Sequence, residues 1–116
     1  MSLLETSRMQ LLSNYLDRTA FRQTVVAANI ANIDTPGYRT QDADFREHLK
    51  AAGDLEEVHM QTREVKGLLQ RPDGNNVSLE RESLVMAQTQ LQFRAGVELL
   101  RSEFRRVQSA IQEGGR

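Results

Sequence analysis

The last third of the chain repeats its apolar residues every seven positions. Leu79, Met86, Phe93, Leu100 and Val107 form one line, and Ser83, Gln90, Val97, Phe104 and Ile111 the interleaved one. From Phe93 onward the steps alternate four, three, four, three, four, the seam of a helix meant to lie along another helix. Ser83 and Gln90 are polar, so the seam is weaker in its first half. Ser78 is a suitable N-cap, Glu80 and Glu82 suit the positive end of the helix dipole, and Gly114-Gly115 supplies a stop. Gly96 costs about 1 kcal/mol relative to alanine inside a helix. Either a close helix approach or a neutral accident explains it.

Residues 1–34 carry the same period less strictly. Met9, Leu16 and Ile30 share one register, and Leu12, Val26 and Ile33 the other, with Thr19 and Gln23 as interruptions. Leu4, Leu11, Tyr15, Phe21 and Val25 broaden the apolar stripe, which predicts contacts on more than one side. Either segment makes a rod about 50 Å long at 1.5 Å per residue.

Glycine and proline divide the chain. Residues 1–34 have neither, 35–77 are broken and polar, and 78–116 begin again as helix. In the middle, residues 58–65 alternate loosely and predict a short strand or half a hairpin. Arg71-Pro72-Asp73-Gly74-Asn75-Asn76 predicts a turn, because proline presets φ while glycine and asparagine tolerate positive φ. The expected fold is therefore mainly α. Long N- and C-terminal helices pack as an antiparallel coiled-coil-like pair around a short irregular or small-β middle segment, one domain overall. Such a pair has a thin core for its surface, so the lone chain is expected to be marginal and to gain stability from neighbours.

Composition narrows the function. Fifteen basic against sixteen acidic residues give a net charge of −1, with no field to recruit nucleic acid. No apolar run suits membrane insertion, and the opening MSLLETSRMQ lacks the pattern of a cleavable secretory signal. The absence of cysteine removes thiol catalysis and Cys-ligated zinc. His48 and His59 lack a third ligand at helical spacing. Asp42 and Asp44 read as a solvated loop pair. Glu56 and Glu57 beside His59 have no accompanying nucleophile. Arg101, Arg105 and Arg106 are interspersed with Glu98, Glu103 and Glu113, which favours an ion-pair face over a nucleic-acid stripe. No enzyme, cofactor or metal site is expected.

The stretch Ala28-Asn29-Ile30-Ala31-Asn32-Ile33-Asp34-Thr35-Pro36-Gly37-Tyr38 has its own logic. Asn29 and Asn32 share a helix face. Thr35 precedes proline and is pushed out of the helical region, so the helix should end near Asp34. Pro36-Gly37 fits the centre of a type II turn, and Tyr38 follows with a polar-tipped ring.

ANIANIDTPGYR resembles the N-terminal signature of the bacterial flagellar axial proteins, the rod, hook and hook-associated subunits, carried here by Asn29, Asn32, Thr35, Pro36, Gly37 and Tyr38. The tail, with GNNV-x-LE, Q-x-Q-F, VELL and VQSAI, is similar to that of a proximal rod subunit. Arg81 stands at the third helical position, where a capping-box glutamate is usual.

The resemblance implies a structural rod subunit that self-associates through its terminal helices, which fold on assembly. It implies other rod subunits and the adaptor between rod and membrane ring as partners. It also implies export without a cleavable signal through the flagellar type III gate, and residence in the periplasm-spanning rod of the basal body. Asn29 and Asn32 would then serve inter-subunit contacts. A gate-recognition element of the form Phe-x-x-x-aliphatic is matched by Phe45 and Leu49, and also by Phe21 and Val25. Phe45 and Leu49 are preferred because they lie outside the helices. The alternatives are the sibling proximal rod subunit and a cytoplasmic helical adaptor or secretion chaperone.

Overall fold

The computed structural model describes residues 3–44 and 60–114, with side chains from residue 7 onward. Helix α1 spans Leu3–Ala31, strands β1 and β2 span Gln41–Asp44 and Gln61–Glu64, and helix α2 spans Leu79–Gly114. The molecule is a rod of 70 × 26 × 17 Å. Its radius of gyration is 18.6 Å, against about 13 Å for a compact domain of this length.

α1 and α2 lie side by side and antiparallel, as the seven-residue spacing predicts. Asn29 meets Glu82 near one end, and Leu16 meets Gly96 further along. The strands pair antiparallel, with Gln41 opposite Glu64 and Asp44 opposite Gln61. The alternating stretch thus forms a hairpin strand over Gln61–Glu64.

Three local details follow from residue chemistry. α1 ends at Ala31, three residues before the expected stop. Asn32 Nδ2 donates to the Ala28 carbonyl at 2.8 Å and satisfies a group the helix end leaves open, so the chain leaves the helix as soon as this local partner is available. Thr35 to Tyr38 makes a turn closed by Tyr38 N to Thr35 O at 3.2 Å, with Gly37 at φ 75°, as a type II turn requires. Ser78 caps α2, its Oγ accepting from Arg81 N at 3.3 Å.

The seam inside the hairpin departs from the apolar spacing. Met86, Phe93 and Leu100 are half-buried and Val107 is buried, as that line predicts. The second line is not Ser83, Gln90, Val97, Phe104 and Ile111: only Val97 is even half-buried, and the other four are exposed, as is Leu79. Its place is taken by Glu82, Thr89 and Gly96, all buried, and then half-buried Glu103, also seven apart but polar or small. On α1, Thr19, Val25, Val26 and Asn29 are buried, while Met9, Leu12, Leu16, Ile30 and, past the helix, Ile33 are half-buried.

The centre of the rod is accordingly polar. Among the described residues, the buried apolar side chains are Val25, Val26, Ala43, Val77, Val85 and Val107, none larger than valine. The largest fully buried side chains include Glu82, Asn29, Asn75, Thr40 and Thr89. Thr19 and Thr89 satisfy their hydroxyls on their own helices, on Leu16 O at 2.9 Å and Val85 O at 2.6 Å.

Gly96 marks a close approach. A Cβ there would lie 2.8 Å from Leu16 Cδ2 and 3.1 Å from the Tyr15 ring. Its role is to seat those two side chains, which removes the neutral-accident reading. Gly96→Ala gains helix propensity, displaces the end of Leu16 and presses slightly on the Tyr15 ring, so its stability should stay within about 1 kcal/mol of the parent chain. Gly96→Val should lose about 2 kcal/mol through overpacking. Urea denaturation followed by circular dichroism distinguishes the two; equal stabilities would remove the close contact.

Candidate functional site

The signature stretch and the Arg71–Val77 turn meet at the end of the rod where α1 finishes and α2 begins. Asn29 is at their centre and fully buried. Its Nδ2 donates to the Gln41 carbonyl at 2.7 Å and to Glu82 Oε2 at 3.0 Å. Its Oδ1 accepts from Gln41 N at 3.1 Å and from the Tyr38 hydroxyl at 3.0 Å. Both donors and both acceptor positions are thereby used. Towards Gln41 the amide behaves as a surrogate strand, closing the edge of β1 opposite β2.

Asn29 is therefore an internal residue, and its expected role in inter-subunit contacts does not hold. It has no free hydrogen-bonding capacity and no exposed surface. Asn32 is half-buried, and its side chain bonds locally: it caps Ala28 and accepts from Thr35 Oγ1 at 3.0 Å, while its carbonyl accepts from Asn75 Nδ2 at 2.9 Å.

Glu82 is a carboxylate with no exposed surface, stabilised through contacts with Asn29 and Arg81. Arg81 Nη1 reaches Oε1 at 2.6 Å, and Arg81 Nη2 reaches Asp42 Oδ2 at 3.4 Å. Arg22 grips the same Asp42 with Nε to Oδ1 at 3.1 Å and Nη2 to Oδ2 at 3.2 Å. Two arginines and two carboxylates alternate along this chain, so the buried charge is balanced. Asp42 is thus buried and paired, correcting its reading as a solvated loop residue. Its Oδ1 also accepts from Ala43 N at 2.8 Å, so the first residue of that pair shapes β1.

A second group of amides laces the two turns together. Asn75 Nδ2 donates to Asn32 O and Thr35 O at 2.9 and 2.8 Å, and its Oδ1 accepts from Val77 N at 2.8 Å. Asn76 Oδ1 accepts from Thr40 N at 2.7 Å and Thr40 Oγ1 at 2.9 Å. Gly37 N donates to Asp73 O at 2.9 Å, and Arg71 Nη2 to the Ile33 carbonyl. The positive φ of Gly37 and Gly74 lets the turn backbones approach: a Cβ on Gly74 would lie 3.3 Å from the Gly37 Cα. The stretches that carry the resemblance, with residues 40–72 between them, form one structure.

The Tyr38 phenol is held above its ordinary pKa of 10.0, first by burial and then by the negative charge of Glu82. Its protonated form is favoured by folding. That contribution is complete below pH 10 and is lost as the pH rises through the folded-state value.

The arrangement is structural rather than chemical. Every central polar group points at another group of the chain. Among the described residues no set of three or more His, Cys, Asp or Glu is placed to hold a metal ion, and no helix is long and apolar enough to cross a membrane. Arg101 pairs with Glu98 at 3.0 Å and Arg106 with Glu103 at 3.3 Å along α2. Phe45, Leu49, His48, His59, Glu56 and Glu57 lie outside the described residues. Arg22, Thr40 and Glu82 carry no signal in the apolar period. The line Glu82, Thr89, Gly96, Glu103, repeating every seven residues, was the available clue.

A knot of signature asparagines at the root of a long helical hairpin defines a class. Residues 7–39 match the family described as flagella basal body rod protein. The flagellar basal body rod protein FlgB of Salmonella typhimurium is 31% identical over 85% of this chain and 88% of its own. That of Bacillus subtilis is 30% identical over 96% and 98%, and that of Escherichia coli 30% over 85% and 88%. The chain belongs to the FlgB family of flagellar basal body rod proteins. The named relatives are rod proteins, and no catalytic family is indicated.

Asn29→Ala would strand Glu82, Tyr38 and both main-chain groups of Gln41. It should cost about 3 kcal/mol, while Tyr38→Phe should cost about 1 kcal/mol and weaken the loss of stability above pH 10. Denaturant titrations at neutral and alkaline pH measure both; an Asn29→Ala chain as stable as the parent would contradict the assignment.

Proposed function

We propose that the chain is a structural subunit of the proximal rod. In this reading it polymerises through its terminal helices and, as part of the drive shaft, transmits torque from the membrane ring to the distal rod, which makes it necessary for flagellum-dependent motility. The observation that carries the reading is the hairpin's imbalance. One end is locked by buried polar bonds. Along the rest, Leu11, Tyr15, Leu84, Leu91, Leu99, Phe104 and Ile111 are exposed. Apolar residues at this density along a thin rod call for neighbours that cover them.

The relatives are flagellar basal body rod proteins, which supports the location. Copies of itself, other rod subunits and the rod–membrane-ring adaptor are the partners in this reading. Met9, Leu12, Leu16, Val26, Ile30, Ile33, Met86, Phe93, Val97, Leu100 and Val107 pack the hairpin, and Leu79, Phe104 and Ile111 face neighbouring subunits. The chain reaches the rod through the type III export gate, with Phe45 and Leu49 as the recognition element.

Leu100→Pro breaks α2 in its half-buried stretch at a cost of about 3 kcal/mol or more. It should abolish motility and rod assembly while the chain is still synthesised, as read by soft-agar swarming and purified basal bodies. Wild-type swimming would count against the reading. Replacing Phe45 and Leu49 together by alanine should lower the exported fraction in culture supernatants; unchanged export would remove the gate assignment.

A further inference from the structure

Asp73-Gly74 is the only place in the chain where glycine follows aspartate, and glycine follows none of the five asparagines. An Asp-Gly pair can close on itself. The Gly74 amide nitrogen attacks the Asp73 side-chain carboxyl carbon, a C–N bond forms and water leaves, giving a five-membered succinimide. Glycine carries no side chain to hinder the attack and leaves the backbone free to rotate into it. Water then opens the ring at either carbonyl. One opening restores aspartate. The other gives isoaspartate, in which the main chain runs through Asp73 Cβ and Cγ and the former α-carbonyl becomes a free carboxylate. Water is the only co-reactant, and Asp73 is exposed to it.

The atoms that this chemistry moves are engaged in the joint between the two turns. Gly74 N donates to Arg71 O at 2.9 Å, Asp73 Oδ1 accepts from Asn75 N at 3.0 Å, and Asp73 O accepts from Gly37 N at 2.9 Å. Arg71 N donates to the Asn75 carbonyl at 2.8 Å and Arg39 Nη1 to the Gly74 carbonyl at 3.3 Å, which hold the same loop from both sides. A succinimide nitrogen carries no hydrogen, so ring closure gives up the bond from Gly74 to Arg71. Isoaspartate goes further. It lengthens the main chain by one methylene and displaces the acceptor of Gly37 N, where a Cβ on Gly74 would already lie 3.3 Å from the Gly37 Cα.

We propose that Asp73-Gly74 is a spontaneous isomerisation site that the closed joint holds inert. The chain is altered there only while the joint is open, and an altered chain cannot close it. The rate then follows the fraction of time the joint spends open, as for any reaction that requires local unfolding. The joint thereby sorts intact chains from aged ones: intact chains lock and are protected, and chains that stay open too long lose the ability to lock. The inference rests on the fold alone and is independent of the rod reading.

The full-length chain is incubated in heavy-oxygen water at neutral pH, folded in buffer and unfolded in urea. Each succinimide hydrolysis fixes one heavy oxygen at Asp73, and fragmentation mass spectrometry locates the label and separates isoaspartate from aspartate. A synthetic peptide of residues 68–79, held in both solvents, corrects for any effect of urea on the chemistry. The folded chain should take up label at least about tenfold more slowly than the unfolded one. Asn29→Ala, which loosens the joint without touching the reacting pair, should raise the rate in buffer several-fold. When chains aged in urea are returned to buffer and fractionated by size exclusion, isoaspartate should be enriched at least about fivefold in the fraction that fails to regain the parent helicity. Equal labelling of folded and unfolded chains would overturn the proposal. So would a rate that Asn29→Ala leaves unchanged, or isoaspartyl chains that refold to the parent stability.

Discussion

The fold depends on a carboxylate placed where an apolar side chain would ordinarily sit. Glu82 is wholly buried between the helices, and such a charge is tolerated only when its oxygens are fully engaged. Asn29 engages one and Arg81 the other. Sliding either helix by one turn would leave Glu82 facing apolar atoms and Asn29 without its four bonds. The pair thus specifies alignment, a role for which an isolated polar residue in a helical seam is well suited. Apolar packing alone could not do this here, because the buried apolar side chains are small.

The order imposed by that pair passes outward through main-chain groups. Asn29 holds Gln41, which starts β1; Asp42 then ties β1 to both helices through Arg22 and Arg81; Asn75 and Asn76 fasten the returning turn. A two-stranded ribbon is marginal by itself. Here it is held on one side by a side-chain amide and at its base by ion pairs, so its persistence follows from the helices.

The long helices, their antiparallel pairing, the Thr35–Tyr38 turn and the Pro72–Gly74 turn were legible from spacing and from local proline and glycine chemistry. The signature asparagines were visible as unusual, but their direction was not. An amide beside Ile30 and Ile33 suits an outer contact as well as an inner one until the second segment is in place. The second line of the α2 seam was hidden for a different reason. Periodicity read from apolar residues passes over Glu82, Thr89, Gly96 and Glu103, whose burial is made possible by a partner on α1, by a hydroxyl bonded to its own helix, by a neighbouring arginine or by the absence of a side chain. Asp42 was misread because its two arginines lie 20 and 39 residues away, beyond any local pattern.

Since the polar knot lies at one extremity of a 70 Å body, it acts on the far tips as a pivot acts on a long pointer. An angular error of one degree there displaces a helix end about 50 Å away by about 1 Å. Side-chain packing registers shifts of that size. The accuracy with which distant parts of the hairpin can be presented to anything beside them is therefore decided by a few amide and guanidinium bonds at its root.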